Sequence, residues 1–147
     1  MDKVLFLDHQ GVMYTGKWPD RPILTDFDPE AIIILNSILQ IENLEIVISS
    51  DWKYWVNLEE MGNFYNRQCI IKKPIAYTNT YSKESLTIME SRSNEILDWL
   101  GENQTTKWCC VDDLDMRQYL SNFIWIKDVN IGIKTEEIKN KIIRYYL

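Results

Sequence analysis

Oxygen-bearing side chains close three apolar runs in this chain. Asp8 follows Val4-Leu5-Phe6-Leu7, Ser49 and Ser50 follow Leu44 to Ile48, and Asp112 and Asp113 follow Trp108-Cys109-Cys110-Val111. Runs of this kind read as strands buried on both faces of a parallel sheet. Open α/β sheets place their chemistry in the crevice beyond the carboxyl ends of such strands. Carboxylates gathered there repel one another unless a cation intervenes. Hard oxygen donors suit Mg²⁺, which keeps several waters and shares its remaining positions with phosphate oxygens. The chemistry within reach is therefore that of a divalent cation held by oxygen ligands. One Asp at a strand end is commonly a turn or cap residue; three polar strand ends in one sheet are harder to explain that way.

The elements that must position these groups alternate between strand and helix from end to end, which predicts a three-layer α/β sandwich around a central parallel sheet. Gly11 lets the chain turn sharply after the first strand. Residues 13–27, with Gly16, Pro19, Asp20 and Pro22, read as a loop or small hairpin. Asp28-Pro29-Glu30 predicts a helix start with Asp28 as cap, followed by a core stripe of Ala31, Ile34, Leu35, Ile38 and Leu39. A helix is expected from Asp51 to about Asn66, a short third strand at Cys69-Ile70-Ile71, and an irregular polar stretch from Pro74 through Lys83. Ser91 to Leu100 reads as helix with Ile96, Leu97 and Leu100 on its buried face and Gly101 as its stop. Phe123 to Ile126 predicts a fifth strand, and Thr135 with Glu136 and Glu137 opens a last helix.

The composition is that of an ordinary globular domain. At 147 residues one domain is expected, with a net charge of −6 and no long basic stretch. Contact with nucleic acid would therefore need a local patch that the linear sequence does not display. His occurs once, which excludes a His-rich zinc site. The three cysteines, Cys69, Cys109 and Cys110, are expected as buried free thiols, with the adjacent pair on opposite faces of a strand. No leader segment and no bilayer-length apolar stretch is visible, so a cytoplasmic location is the default expectation.

Val4 to Val12 resembles the first motif of the haloacid dehalogenase-like (HAD) phosphatases, an apolar strand followed by Asp-x-Asp-Gly-(Thr/Val). The resemblance implies a Rossmann-like fold with a minimal cap or none, and Mg²⁺ as cofactor. It implies Asp8 as the nucleophile that forms an aspartyl-phosphate, and the backbone carbonyl of Gln10 as a metal ligand. Ser49 or Ser50 matches the second motif, a hydroxyl that holds a phosphate oxygen, with Ser50 favoured because Asp51-Trp52 follows it. A helix N-cap is the competing reading of that serine. Arg92 looks like the third motif, a cation that neutralises phosphate and the Asp8 charge, with Lys72, Lys73 and Lys83 as rivals. Asp112-Asp113-Leu114-Asp115 resembles the acidic fourth motif, with Asp113 the direct metal ligand and Asp112 and Asp115 in support. Ser50-Asp51-Trp52, Arg92 to Leu100 and Asp112 to Met116 together resemble the small capless HAD domains of Swiss Army knife RNA-repair proteins, over essentially the whole chain. Phosphorylated partners such as a nucleic-acid terminus or a phosphoprotein are implied by that resemblance, and a membrane partner is not.

One position departs from the pattern. Gln10 stands where the family carries a second Asp, which protonates the leaving oxygen and later takes a proton from water. An amide does neither at neutral pH, and general acid–base assistance is typically worth about 10²–10⁴-fold in rate. The expectation is a slow phosphatase or phosphotransferase, with His9 or Asp51 as the nearest substitute groups, or a catalytically silent phosphate-binding or regulatory domain. On an extended segment His9 should face away from the crevice shared by Asp8 and Gln10.

Overall fold

The computed structural model describes residues 2–15, 23–80 and 86–147. In chain order the elements are β1 (Lys3–Leu7), α1 (Pro29–Ile38), β2 (Leu44–Ile48), a 3₁₀ turn over Asp51–Tyr54, α2 (Leu58–Arg67), β3 (Ala76–Tyr77), α3 (Ile88–Glu102), β4 (Lys107–Asp112), β5 (Phe123–Trp125) and α4 (Glu136–Arg144). All strand pairs are parallel and the order across the sheet is β3-β2-β1-β4-β5. The chain builds outward from β1 on one side, then crosses over to add β4 and β5 on the other. The place where that order reverses lies between β1 and β4, where open sheets leave a crevice.

Register makes the crevice chemical. Leu7 is level with Ile48 on one side and Val111 on the other, so Asp8, Ser49 and Asp112 emerge side by side. Alternation along the strands divides the core in two. Leu5, Leu7, Ile46, Ile48, Cys109 and Val111 face α1, α2 and α4, whereas Val4, Phe6, Val47 and Cys110 face α3. Cys109 and Cys110 thus point to opposite faces, as adjacent strand residues must.

Several local expectations are corrected. Asp51 to Asn66 is not one helix: a 3₁₀ turn ends at Tyr54 and α2 begins afresh behind the Asn57 cap, whose side chain accepts from Glu60 N. Cys69-Ile70-Ile71 is not a strand, because Cys69 takes a positive φ of 64° in the turn that ends α2, and its thiol is exposed. The third strand is instead the short Ala76–Tyr77, inside the stretch expected to be irregular. Gly101 lies within α3 rather than stopping it, and Leu97 is exposed; the buried face is Arg92, Ser93, Glu95, Ile96 and Trp99. Asp28 holds the cap position of α1 without capping it. Its carboxylate instead accepts from Thr15 N at 3.0 Å and Thr15 Oγ1 at 2.6 Å and pairs with Lys134 at 3.3 Å, which clamps the far end of the loop that follows β1. Gly16, Pro19, Asp20, Pro22 and Lys83 lie outside the described residues.

Candidate active site

Each site residue is delivered by the end of a strand, the turn just beyond one, or the first turns of α3. His9 and Gln10 continue from β1 into a tight turn, with Val12 N and Met13 N donating to His9 O at 3.1 and 2.7 Å. Gly11 makes that turn possible at φ 80°; a Cβ there would sit 2.7 Å from Asp113 Oδ2. The β1 loop and the acidic loop after β4 therefore approach closely at a residue without a side chain.

Among the described residues, one carboxylate oxygen from each of Asp8, Asp112 and Asp113 lies within 4.8 Å of the other two. Asp8 and Asp113 line a crevice of about 360 Å³ together with Gln10, Ser50, Asp51 and Arg92. Asp112 is fully buried beneath them. Burial, then the charge of Asp112, pushes the Asp8 carboxyl well above the ordinary carboxylate range, against the opposing pull of Arg92. Burial also raises Asp112 to about 6, with Arg92 again pulling down. Such a cluster is a strained set of like charges that a hard cation would relieve, and its all-oxygen donors fit a divalent ion of the Mg²⁺ type.

Arg92 is the protein's own counter-charge. Its Nη1 donates to both Asp112 oxygens at 3.1 and 3.0 Å and stands 3.6 Å from Asp8 Oδ2, while Nη2 reaches Asp51 Oδ1 at 3.1 Å. With Leu114 N also donating to Asp112 Oδ1 at 2.9 Å, Asp112 serves chiefly to hold Arg92 and the acidic loop. Asp115 is not part of the cluster; it turns to solvent and pairs with Arg117 at 2.8 Å. Lys72 is spent on Leu44 O at 2.6 Å and the Lys73 stem lies over Gly62, so neither reaches the crevice.

The two serines separate. Ser50 caps the 3₁₀ turn, its Oγ accepting from Trp52 N at 3.2 Å, yet it also lines the crevice, and its hydroxyl proton has no acceptor among the described residues. Cap and ligand-facing group are thus one residue. Ser49 Oγ is buried without a partner among the described residues and is not part of the crevice lining. His9 turns into an aromatic nest, its Nε2 2.7 Å from Tyr65 Oη and its ring against Phe27 and Trp52. Burial lowers its pKa to about 3, so it is neutral and directed away from Asp8.

Two features escaped the sequence reading. Lys53 and Glu95 form a buried pair at 2.7 Å that ties the 3₁₀ turn to α3 and so fixes Asp51 against Arg92. The signal was there in the spacing of Arg92, Glu95, Ile96 and Trp99, one helical face whose polar members disguise it. The second is the apolar rim of the crevice, where Trp55 is 65% exposed and Ile88 is 56% exposed.

A parallel sheet with carboxylates at the switch point, a buried arginine and a strand-end hydroxyl defines a small Rossmann-like phosphate-handling domain of the HAD type. The chain belongs to the family described as the HAD domain in Swiss Army Knife RNA repair proteins, whose model matches residues 4–138. No curated protein and no solved structure matches it.

Proposed function

We propose that this domain is a Mg²⁺-dependent phosphomonoester hydrolase or phosphotransferase working through an aspartyl-phosphate on Asp8, inside the cell and on substrates such as phosphorylated nucleic-acid ends. The observation that carries this reading is the Asp8, Asp112 and Asp113 cluster at the switch point with Arg92 set into it. Asp8, Asp113 and the Gln10 carbonyl would hold the ion, with Asp112 behind them. When bound, the ion neutralises charge on the transferring phosphoryl group.

Asp8 is the nucleophile. Its oxygen attacks phosphorus, the bond to the leaving oxygen breaks, and water later cleaves the acyl phosphate to free phosphate and the carboxylate. A carboxyl pushed well up by burial and by Asp112 is a poor nucleophile until cations offset both effects, so activity should require the divalent ion as well as Arg92. Ser50 donates its hydroxyl to a phosphate oxygen, and Asp51 keeps the outer nitrogen of Arg92 in place. Gln10 offers an amide hydrogen bond to the leaving oxygen but no proton, and His9 is turned away, so turnover is slowest for alkyl leaving groups and fastest for activated ones.

The test is release of an aryl alcohol from its phosphate with and without Mg²⁺, in the wild type, Asp8→Asn and Gln10→Asp. Expected are Mg²⁺-dependent turnover in the wild type, loss in Asp8→Asn, and a gain of about 10²-fold or more in Gln10→Asp on alkyl phosphates. Equal, negligible rates in wild type and Asp8→Asn would leave a phosphate-binding domain that has abandoned chemistry, the reading that Gln10 favours.

A further inference from the structure

The fold assembles a basic surface that the linear sequence does not show. Arg117 from the acidic loop, Lys127 after β5, and Lys141 and Arg144 from α4 converge on a groove of about 590 Å³ beside the edge strand β5. Trp125 and Tyr145 line the same groove. In a chain of net charge −6, four cations around three aromatic residues, Phe123 included, are a marked local reversal of sign. The Arg117 guanidinium lies 4.3 Å from the centre of the Trp125 ring and the Lys127 ammonium 5.9 Å from it.

The partners of these cations leave them available. Arg117 pairs with Asp115 at 2.8 Å and Lys141 with Glu137 at 3.4 Å, both pairs substantially exposed. Exposed pairs of this kind contribute little and exchange readily for another anion. Among the described residues no carboxylate forms an ion pair with Lys127 or Arg144. The groove is also wired to the acidic cluster. Trp125 Nε1 donates to Asp113 O at 3.0 Å, and the loop that carries Asp113 into the crevice carries Arg117 into the groove.

We propose that this groove binds single-stranded nucleic acid, its cations taking successive phosphates and its rings and guanidinium taking base faces. Cations track a strand's backbone while aromatic and guanidinium planes stack on its bases, a combination that a simple polyanion does not use. The site goes beyond the chemistry at Asp8, since binding in the groove needs no turnover.

The test is fluorescence anisotropy of the full chain with a labelled ten-nucleotide oligoadenylate lacking a terminal phosphate, in EDTA, across a salt series. Expected is binding whose log–log salt slope is about −2 to −3, as for three to four phosphates on a single strand. Lys127→Glu with Arg144→Glu should weaken it by about tenfold or more and flatten the slope. Arg67→Glu, which reverses an exposed cation stacked on Phe64 away from the groove and changes half as much charge as the double variant, should change it less than about twofold and serves as the control for position. Absence of wild-type binding at low salt, or an equal loss in the Arg67→Glu control, overturns the proposal. So does equal competition by inorganic polyphosphate, which has charge without bases, or self-association of the chain through this face with no oligonucleotide bound. Because the probe carries no phosphomonoester, failure of hydrolysis at Asp8 leaves this result untouched.

Discussion

At Gly11 a single hydrogen atom stands where a Cβ would meet the acidic loop. The φ of 80° already disfavours any side chain, and a Cβ would stand 2.7 Å from Asp113 Oδ2, well inside contact distance. Gly11→Ala should therefore lose about 1–3 kcal/mol from backbone strain and contact. It should also weaken Mg²⁺ binding, since the displaced oxygen belongs to the candidate ligand Asp113. Urea unfolding with and without Mg²⁺ reads both effects. Gly101→Ala is the contrasting case: it sits inside α3 with open space around it, and should gain up to about 1 kcal/mol. Equal effects of the two substitutions would show that Gly11 is not shaped by its contact with the acidic loop.

Between elements, Arg92 is the fastener that joins α3 to the ends of β1 and β4. It reaches Asp8, Asp51 and Asp112 from a side chain that is itself buried. Removing its charge while leaving two buried carboxylates should cost about 3–5 kcal/mol in the metal-free protein near pH 8. The cost should shrink near pH 5, where Asp112, raised to about 6, takes up a proton. Unfolding of Arg92→Met at both pH values measures this, and adding Asp112→Asn should restore part of the loss. The sequence showed α3 only in part, for a physical reason. Its core face includes Arg92 and Glu95, buried because each has a charged partner elsewhere in the fold, and a hydrophobic pattern passes over such residues. β1, β2 and β4 were legible because the central strands of a parallel sheet are apolar on both faces. Cys69-Ile70-Ile71 misled because a β-rich tripeptide was read without its turn, where Cys69 adopts a left-handed conformation. The two residues of β3 carry too little pattern to be found alone. At the site, Asp8, Ser50 and the paired aspartates were visible as strand ends, whereas Trp55 and Lys53 depend on how the 3₁₀ turn packs, which spacing does not encode.

Across the whole molecule, two buried titrations pull the stability in opposite directions with pH. Asp8 and Asp112 have folded pKa values above the unfolded ones, so their contribution is most favourable at low pH. That contribution fades as pH rises from the unfolded value through about 6 for Asp112. His9 does the reverse. Its folded pKa near 3 lies below the unfolded value of about 6.5, so the unfolded chain binds the proton first. Stability is therefore lost progressively as pH falls below about 6.5, by about 2–3 kcal/mol at pH 4.5 for this group taken alone. The sum should be a flat or shallow profile in the metal-free wild type. In His9→Gln the acidic side of the profile should rise relative to wild type by about that amount, exposing the carboxylate effect by itself. Saturating Mg²⁺ should then lift the neutral side, because a cation shared by Asp8 and Asp113 removes the repulsion that disfavoured ionisation. Denaturant unfolding from pH 4.5 to 8 in wild type and His9→Gln, with EDTA or Mg²⁺, separates the two contributions. A wild-type profile parallel to that of His9→Gln would mean that the imidazole beside Tyr65 accepts its proton without disturbing the aromatic nest.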